Sequence, residues 1–268
     1  MPITLREKLK DPAMTWNYIP FEQAVTQGGL RMTVVGDVPS PWGEAAKGIF
    51  HVKGLDWSAV RHDPANRELA KWSQSQSAPS VVYENEPARS GWSDILFLAE
   101  RLAPERSLLP GDPAERALAL GLAHEFCGQG GLGWSRRLWL THIGLKGQGG
   151  FVEPVAQYLA QKYGYTEQVG AASYDRVIAL LRMFAARLTA QQAKGSDYFF
   201  DCGMTAVDIY AATFAGLLQP LPEEVCAMRP ATRAAFSDVD AATLKAAGGL
   251  LAHRDMMYDR WLESVLRL

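Results

Sequence analysis

"VVGDVPSPWGEAAKGIFHVKGL", residues 34–55, decides how the chain folds. A β-branched run stops at Gly36-Asp37, two prolines bracket Ser40, and a helical pattern begins at once. Pro39 and Pro41 fix φ at their own positions and turn the residues before them away from helix. Ala45, Ala46, Ile49, Phe50 and Val52 fall on one helical face, and Gly54 stands where a helix stops. Ser40 is therefore held between a buried strand and the first turn of a helix. A hydroxyl there has two uses. It caps the helix, or it joins the free N–H groups of the first turn in stabilising an anion such as a thiolate.

Outward from this stretch the periodicity alternates. "LRMTVVG" (30–36) predicts a buried strand, and residues 1–29, with Pro2, Pro12 and Pro20, read as an extension carrying one short helix near Phe21–Thr26. "DWSAVRHD" (56–63) predicts a second strand, and "PANRELAKWSQ" a short helix with Pro64 at its first position. Ala78-Pro79 opens a third strand, Ser80–Tyr83, where a proline without an N–H is tolerated. A further strand is hidden in "EPARS" (86–90), and "SGWSDILFLAERLAPE" is an amphipathic helix closed by Pro104. Strands alternating with helices predict an α/β sheet layer over residues 30–103. A Pro/Gly-rich linker at 104–112 ends it, and from 113 to 268 the segments read as helical throughout, an all-α bundle.

The totals bound the function. The chain has 268 residues, 48% hydrophobic and 21% charged, with a formal net charge of −2, so it is expected to be globular. It lacks the basic stripe that nucleic-acid binding demands. Three cysteines without CxxC spacing and five scattered histidines predict neither a disulfide framework nor a metal site. Cys127 and Cys202 are expected as buried small apolar residues. The first residues lack the apolar core of a secretory signal, and no run approaches the ~20 apolar residues of a membrane span. A soluble cytoplasmic protein is the expectation.

Three short elements carry more than this. Ser40-Pro41-Trp42 opens the first helix, Ala78-Pro79 opens a strand, and Arg89-Ser90-Gly91 precedes another helix. "LFLAERLAPERSLLPGDPAERA" follows, and "GMTAVDIYAATF" places Thr205 and Asp208 as a capping box. With these motifs the sequence resembles the glutathione transferase superfamily over about residues 30 to 225. The resemblance implies a thioredoxin-like mixed-sheet domain followed by a helical bundle, glutathione as co-substrate, and no metal. It implies Ser40 as the group that activates the glutathione sulfur and Pro79 as a cis proline. Trp42, Ala78, Arg89 and Ser90 would complete the glutathione site. The wall for a small hydrophobic electrophile is expected from "GQGGLGWSRRLWL" (128–140), chiefly Trp134 and Arg137, with the electrophile lying between the domains. Arg136 and Arg137 also read as an ordinary solvated pair. A homodimer is implied as well.

Departures from the family pattern are as informative. The Glu/Gln-Ser pair that receives the γ-glutamyl group is replaced by Arg89-Ser90-Gly91, and the slot falls on Ser90 or on Gly91 according to the alignment chosen. The usual basic residue one turn after the serine is missing, and Glu44 stands near the expected sulfur, where a like charge opposes a thiolate. Residues before 30 exceed the family norm. Two other functions stay open on this reading: a noncatalytic binding or scaffold protein of the same fold, and a glutathione-dependent lyase or isomerase.

Overall fold

The computed structural model describes residues 16–263 and 265–268. The chain divides into two compact units. The first holds the residues up to Ser107 together with Glu223–Ala227 and Tyr258–Leu268, and the second holds Leu108–Pro222 and Met228–Met257. Pro2 and Pro12 of the expected extension lie outside the described residues.

The first unit is built on a four-stranded sheet in the order β1-β3-β2-β4. Its strands are β1 (Trp16–Tyr18), β2 (Leu30–Val34), β3 (Trp57–Arg61) and β4 (Ser80–Tyr83), and its helices are α1 (Phe21–Thr26), α2 (Pro41–Lys53), α3 (Arg67–Ser73) and α4 (Trp92–Leu102). β1 and β2 run parallel to β3, and β4 runs antiparallel to β2 with Thr33 opposite Ser80. This is the mixed sheet of a thioredoxin-like domain. β2 is buried at all five positions, which is why it reads as an unbroken run. Arg31 sits inside that run because its guanidinium donates to the carbonyls of Ala24 and Gln27 at the end of α1, and to that of Glu84. The "EPARS" strand reduces to one antiparallel bridge, Arg89 to Val81.

Two expectations change here. Residues 16–18 join the sheet instead of extending from it, while the expected helix at Phe21–Thr26 is α1: Trp16 pairs with Trp57, is 2% exposed and stacks on the Trp57 ring at 4.6 Å. A three-residue strand is too short to show a period of two. Pro64 does not start α3. Asn66 caps that helix by accepting from the Leu69 N–H at 3.0 Å, and Asp63 accepts from the Ala65 N–H, so 63–66 is a turn.

In the second unit, α5 (Pro113–Cys127) is capped by Asp112, which accepts from the N–H groups of Ala114 and Glu115. It is followed by α6 (Leu132–Leu145), α7 (Glu153–Tyr163), α8 (Glu167–Gln192) and α9 (Ala206–Ala215). The shorter α10 (Pro230–Phe236) and α11 (Ala241–Ala247) precede α12 (Leu250–Arg260). Every residue of α9 is buried, so it forms the unit's axis. Phe126 of α5 stacks on Phe184 of α8 at 3.6 Å, with Phe199 and Phe214 against them. Residues 241–247 are helical, and Asp240 caps them through the Thr243 N–H. Cys202 is exposed in a turn, whereas Cys127 is buried as expected.

Candidate functional site

Three elements of the first unit meet at one end of the sheet. β2 ends where β4 begins, because the two are antiparallel and Thr33 faces Ser80. Ser40 follows the end of β2, and Pro79 precedes the start of β4. The Arg89–Val81 bridge brings the chain leading into α4 alongside the same end. Two helix mouths and one strand start therefore share an edge, where the partial positive charge of two helix N-termini is concentrated.

Ser40 is the N-cap residue of α2 by backbone geometry, and its carbonyl accepts from the Glu44 N–H at 2.8 Å. Its side chain makes no capping bond, although the residue is only 7% exposed. The capping use of this hydroxyl is thus not seen in the structure. Gly43 lies beside it: a Cβ at that position would stand 3.8 Å from the Ser40 Cβ and meet nothing else within 4 Å. Trp42 is half-buried in the same turn.

The Ala78-Pro79 peptide is cis. Pro79 is buried and Ala78 partly exposed. At α4 the helix register makes Gly91 the N-cap, with Ser90 exposed just before it. The Asp94 carboxylate folds back over that position, since a Cβ on Gly91 would meet Asp94 Oδ2 at 2.7 Å. The guanidinium of Arg89 is engaged elsewhere: it donates to Glu86 at 2.6 Å and to the Pro87 carbonyl. Arg101 reaches the same Glu86, and the hydrogen bonds from Arg101 and Arg89 hold that carboxyl below the usual carboxylate range.

Among candidates in the second unit, Trp134 and Arg137 come together on Tyr163. The indole meets that ring edge-on at 4.5 Å, and Arg137 Nη1 donates to the phenol oxygen at 2.6 Å. Burial, and secondarily the Arg137 charge, lowers the pKa of neighbouring Lys162. Arg136 departs from the solvated-pair expectation. It is 1% exposed and donates to the carbonyls of Leu217 and Asp238. Desolvation lowers its pKa to about 10, with Asp238 and Asp240 opposing the shift. One charge of an adjacent pair was recruited to tie carbonyls together, which residue type alone does not disclose.

Three solved structures of similar fold share 13 to 19 per cent identity with the sequence. A glutathione S-transferase from Methylobacterium radiotolerans, in complex with glutathione sulfonate, matches at 19% identity with a TM-score of 0.60, over 89% of this chain and 95% of that one. The β-etherase LigF from a Sphingobium strain matches at 16% identity and 0.55, over 81% of this chain and 98% of that one. A glutathione S-transferase from Methylobacillus flagellatus with glutathione bound gives 13% and 0.53, over 82% and 100%. No protein-family model and no curated relative matches the chain. The fold is that of the glutathione transferases.

Within that glutathione transferase fold, two arrangements escaped the sequence reading. The capping box of α9 was legible: Asp208 accepts from the Thr205 N–H at 2.8 Å and from its hydroxyl at 2.9 Å. The Phe199 N–H, nine positions away, and His253, 45 positions away, also converge on Asp208, both at 3.0 Å. The second arrangement concerns Glu44. It is buried beside Lys47 Nζ at 2.9 Å, and burial pushes its carboxyl pKa up against the opposing Lys47 charge. A spacing of three residues on a helix was the available signal. Among the described residues no group of His, Cys, Asp and Glu is arranged to hold a metal, and no helix is long and apolar enough to cross a membrane.

Proposed function

We propose that the chain binds glutathione and raises the thiolate fraction of its sulfur for attack on a small hydrophobic electrophile. The observation that carries this reading is Ser40: a buried hydroxyl at the mouth of α2, left uncommitted by capping, at the sheet end shared with Pro79 and Gly91. The Ser40 hydroxyl would donate to the sulfur, and the first-turn N–H groups of α2 would add their partial positive charge. Both favour the charged form, and each pKa unit gained is about 1.4 kcal/mol. The main chain at Ala78, with Trp42 beside it, would hold the peptide part of glutathione. The N-terminus of α4, at Ser90 and Gly91, would take the γ-glutamyl carboxylate. Arg89 acts there only through the Glu86 pair that fixes the loop. Once ionised, the sulfur supplies the nucleophile. Trp134 and Arg137 are the proposed contacts of the electrophile.

A noncatalytic binding protein is the second reading, favoured by the carboxylate of Glu44 in the first turn of α2. A lyase or isomerase would use the same sulfur on a different substrate. Retention on immobilised glutathione, abolished or weakened at least tenfold by Ser40→Ala, supports the proposed site. Equal retention by Ser40→Ala would sink it. Turnover of a panel of electrophiles, ethers and isomerisable enones by the wild type then separates enzyme from scaffold. By resemblance the protein is proposed to be a homodimer in the cytoplasm, and a solution mass of about twice 29.4 kDa would bear out the pairing.

A further inference from the structure

Ser40, Glu44 and Lys47 are spaced i, i+4 and i+7 along α2, and all three are buried, at 7%, 7% and 3% exposure. Residues so spaced are neighbours on one helical face, with about 5–6 Å between successive Cβ atoms. A line of buried polar groups thus leads from the mouth of α2 into the body of the first unit. Its far end is tied down. Lys47 Nζ donates to Glu44 Oε1 at 2.9 Å and to the carbonyl of Arg267 at 2.7 Å. The same ammonium lies over the Trp16 ring, 5.1 Å from its centroid, and the Arg267 guanidinium lies 4.9 Å from that centroid. Arg267 also donates to the Trp16 carbonyl, and the Trp16 indole N–H donates to Glu263. The Leu266 N–H donates to Val225.

This arrangement bears on the sulfur. A carboxylate one turn from Ser40 opposes a thiolate; the same carboxylate neutralised by an ammonium does not. We infer that Lys47 is a positioning residue for the sulfur chemistry at Ser40: it cancels the Glu44 charge, and the Arg267 carbonyl fixes it where it can. The inference rests on the proposed glutathione site. It explains how the fold tolerates an acid one turn from Ser40. The groups facing Glu44 are Lys47 from its own helix and Glu263 from the C-terminal segment, the latter opposing its ionisation. Those facing Lys47 are Glu44, the Arg267 carbonyl and the Trp16 ring.

The thiolate absorbance of bound glutathione, titrated from acid to alkaline pH in the full-length protein, tests this. Lys47→Met is expected to raise the apparent thiol pKa by about one unit, a loss of thiolate of up to about tenfold at neutral pH. Glu44→Gln is expected to lower it, since Lys47 is then uncompensated, and the double variant to return it to the wild-type value. Lys47→Arg keeps the charge and is expected to stay close to wild type. A Glu44 left without its cation titrates together with the thiol, so the whole curve is fitted as a coupled pair. A mere packing role would move Lys47→Met and Glu44→Gln in the same direction or not at all, and either result overturns the inference. If Lys47→Met does not fold, the shift in Glu44→Gln decides alone: downward supports the inference, unchanged or upward overturns it. Glutathione bound by the wild type with unshifted variants defeats this inference only. No glutathione bound by the wild type defeats the proposed function and this inference together.

Discussion

Ser40 and its neighbours put two claims within reach of single substitutions. Removing an N-cap hydroxyl that bonds its helix costs about 1 kcal/mol. Ser40 makes no such bond, so Ser40→Ala is expected to leave the thermal midpoint unchanged while weakening glutathione retention. A fall in the midpoint of several degrees would return the residue to a capping role. Gly43→Ala separates stability from binding in another way. The added Cβ meets only Ser40 at ordinary contact distance, so the fold is expected to accept it with equal or higher stability. The methyl group crowds the approach to the hydroxyl, and calorimetry should show weaker glutathione binding; undiminished affinity would place the sulfur elsewhere.

At the scale of elements, caps explain where the sequence was legible and where it was not. The start of α5 follows from Asp112-Pro113, and the end of α2 from Gly54, which adopts φ 65°. Local signals fix these, so the sequence suffices. α3 misled because Pro64 fits a first helical position, yet Asn66 won by offering a side-chain acceptor to Leu69. Asn66→Ala is accordingly expected to cost about 1 kcal/mol in chemical denaturation. Pro64→Ala, two positions before the capping residue, is expected to cost less. α11 is held similarly by Asp240, which accepts from Thr243 and from the Tyr174 hydroxyl at 2.6 Å. That hydroxyl, chiefly, lowers the Asp240 pKa. A depressed carboxyl pKa adds stability that is present above its unfolded value and lost as pH falls through the folded one. Tyr174→Phe should therefore destabilise at neutral pH and converge with the wild type in strong acid. A constant gap between the two stability curves down to strong acid would refute the linkage.

Over the whole chain, the two-part architecture was readable because strand-helix alternation gives way to continuous helical periodicity near residue 108. What could not be read was the use of distant partners. Trp16 and Arg267 meet across most of the chain, Asp208 and His253 across 45 positions, and no local pattern encodes such pairings. The same holds for Arg136, whose burial depends on carbonyls more than eighty positions away. The segment after α12 belongs to the first unit, so shortening it should be felt at β1. Deleting residues 265–268 removes the bonds to Val225, Trp16 and Lys47 together. Amide exchange at Asn17 and Tyr18 is expected to quicken in that variant while α9 keeps its protection. Unaltered exchange in β1 would show that stacking on Trp57 holds the strand unaided.

The acceptor that receives Lys47 is a main-chain oxygen, and every amino acid carries one. Identity at position 267 is therefore immaterial to that bond, while the number of residues leading up to it is critical. One residue inserted or removed between 261 and 266 displaces the oxygen by up to ~3.5 Å along the chain, beyond reach of the ammonium. Kindred proteins using this device would be recognised by a fixed spacer length after α12, even where the letters in that spacer have drifted beyond alignment.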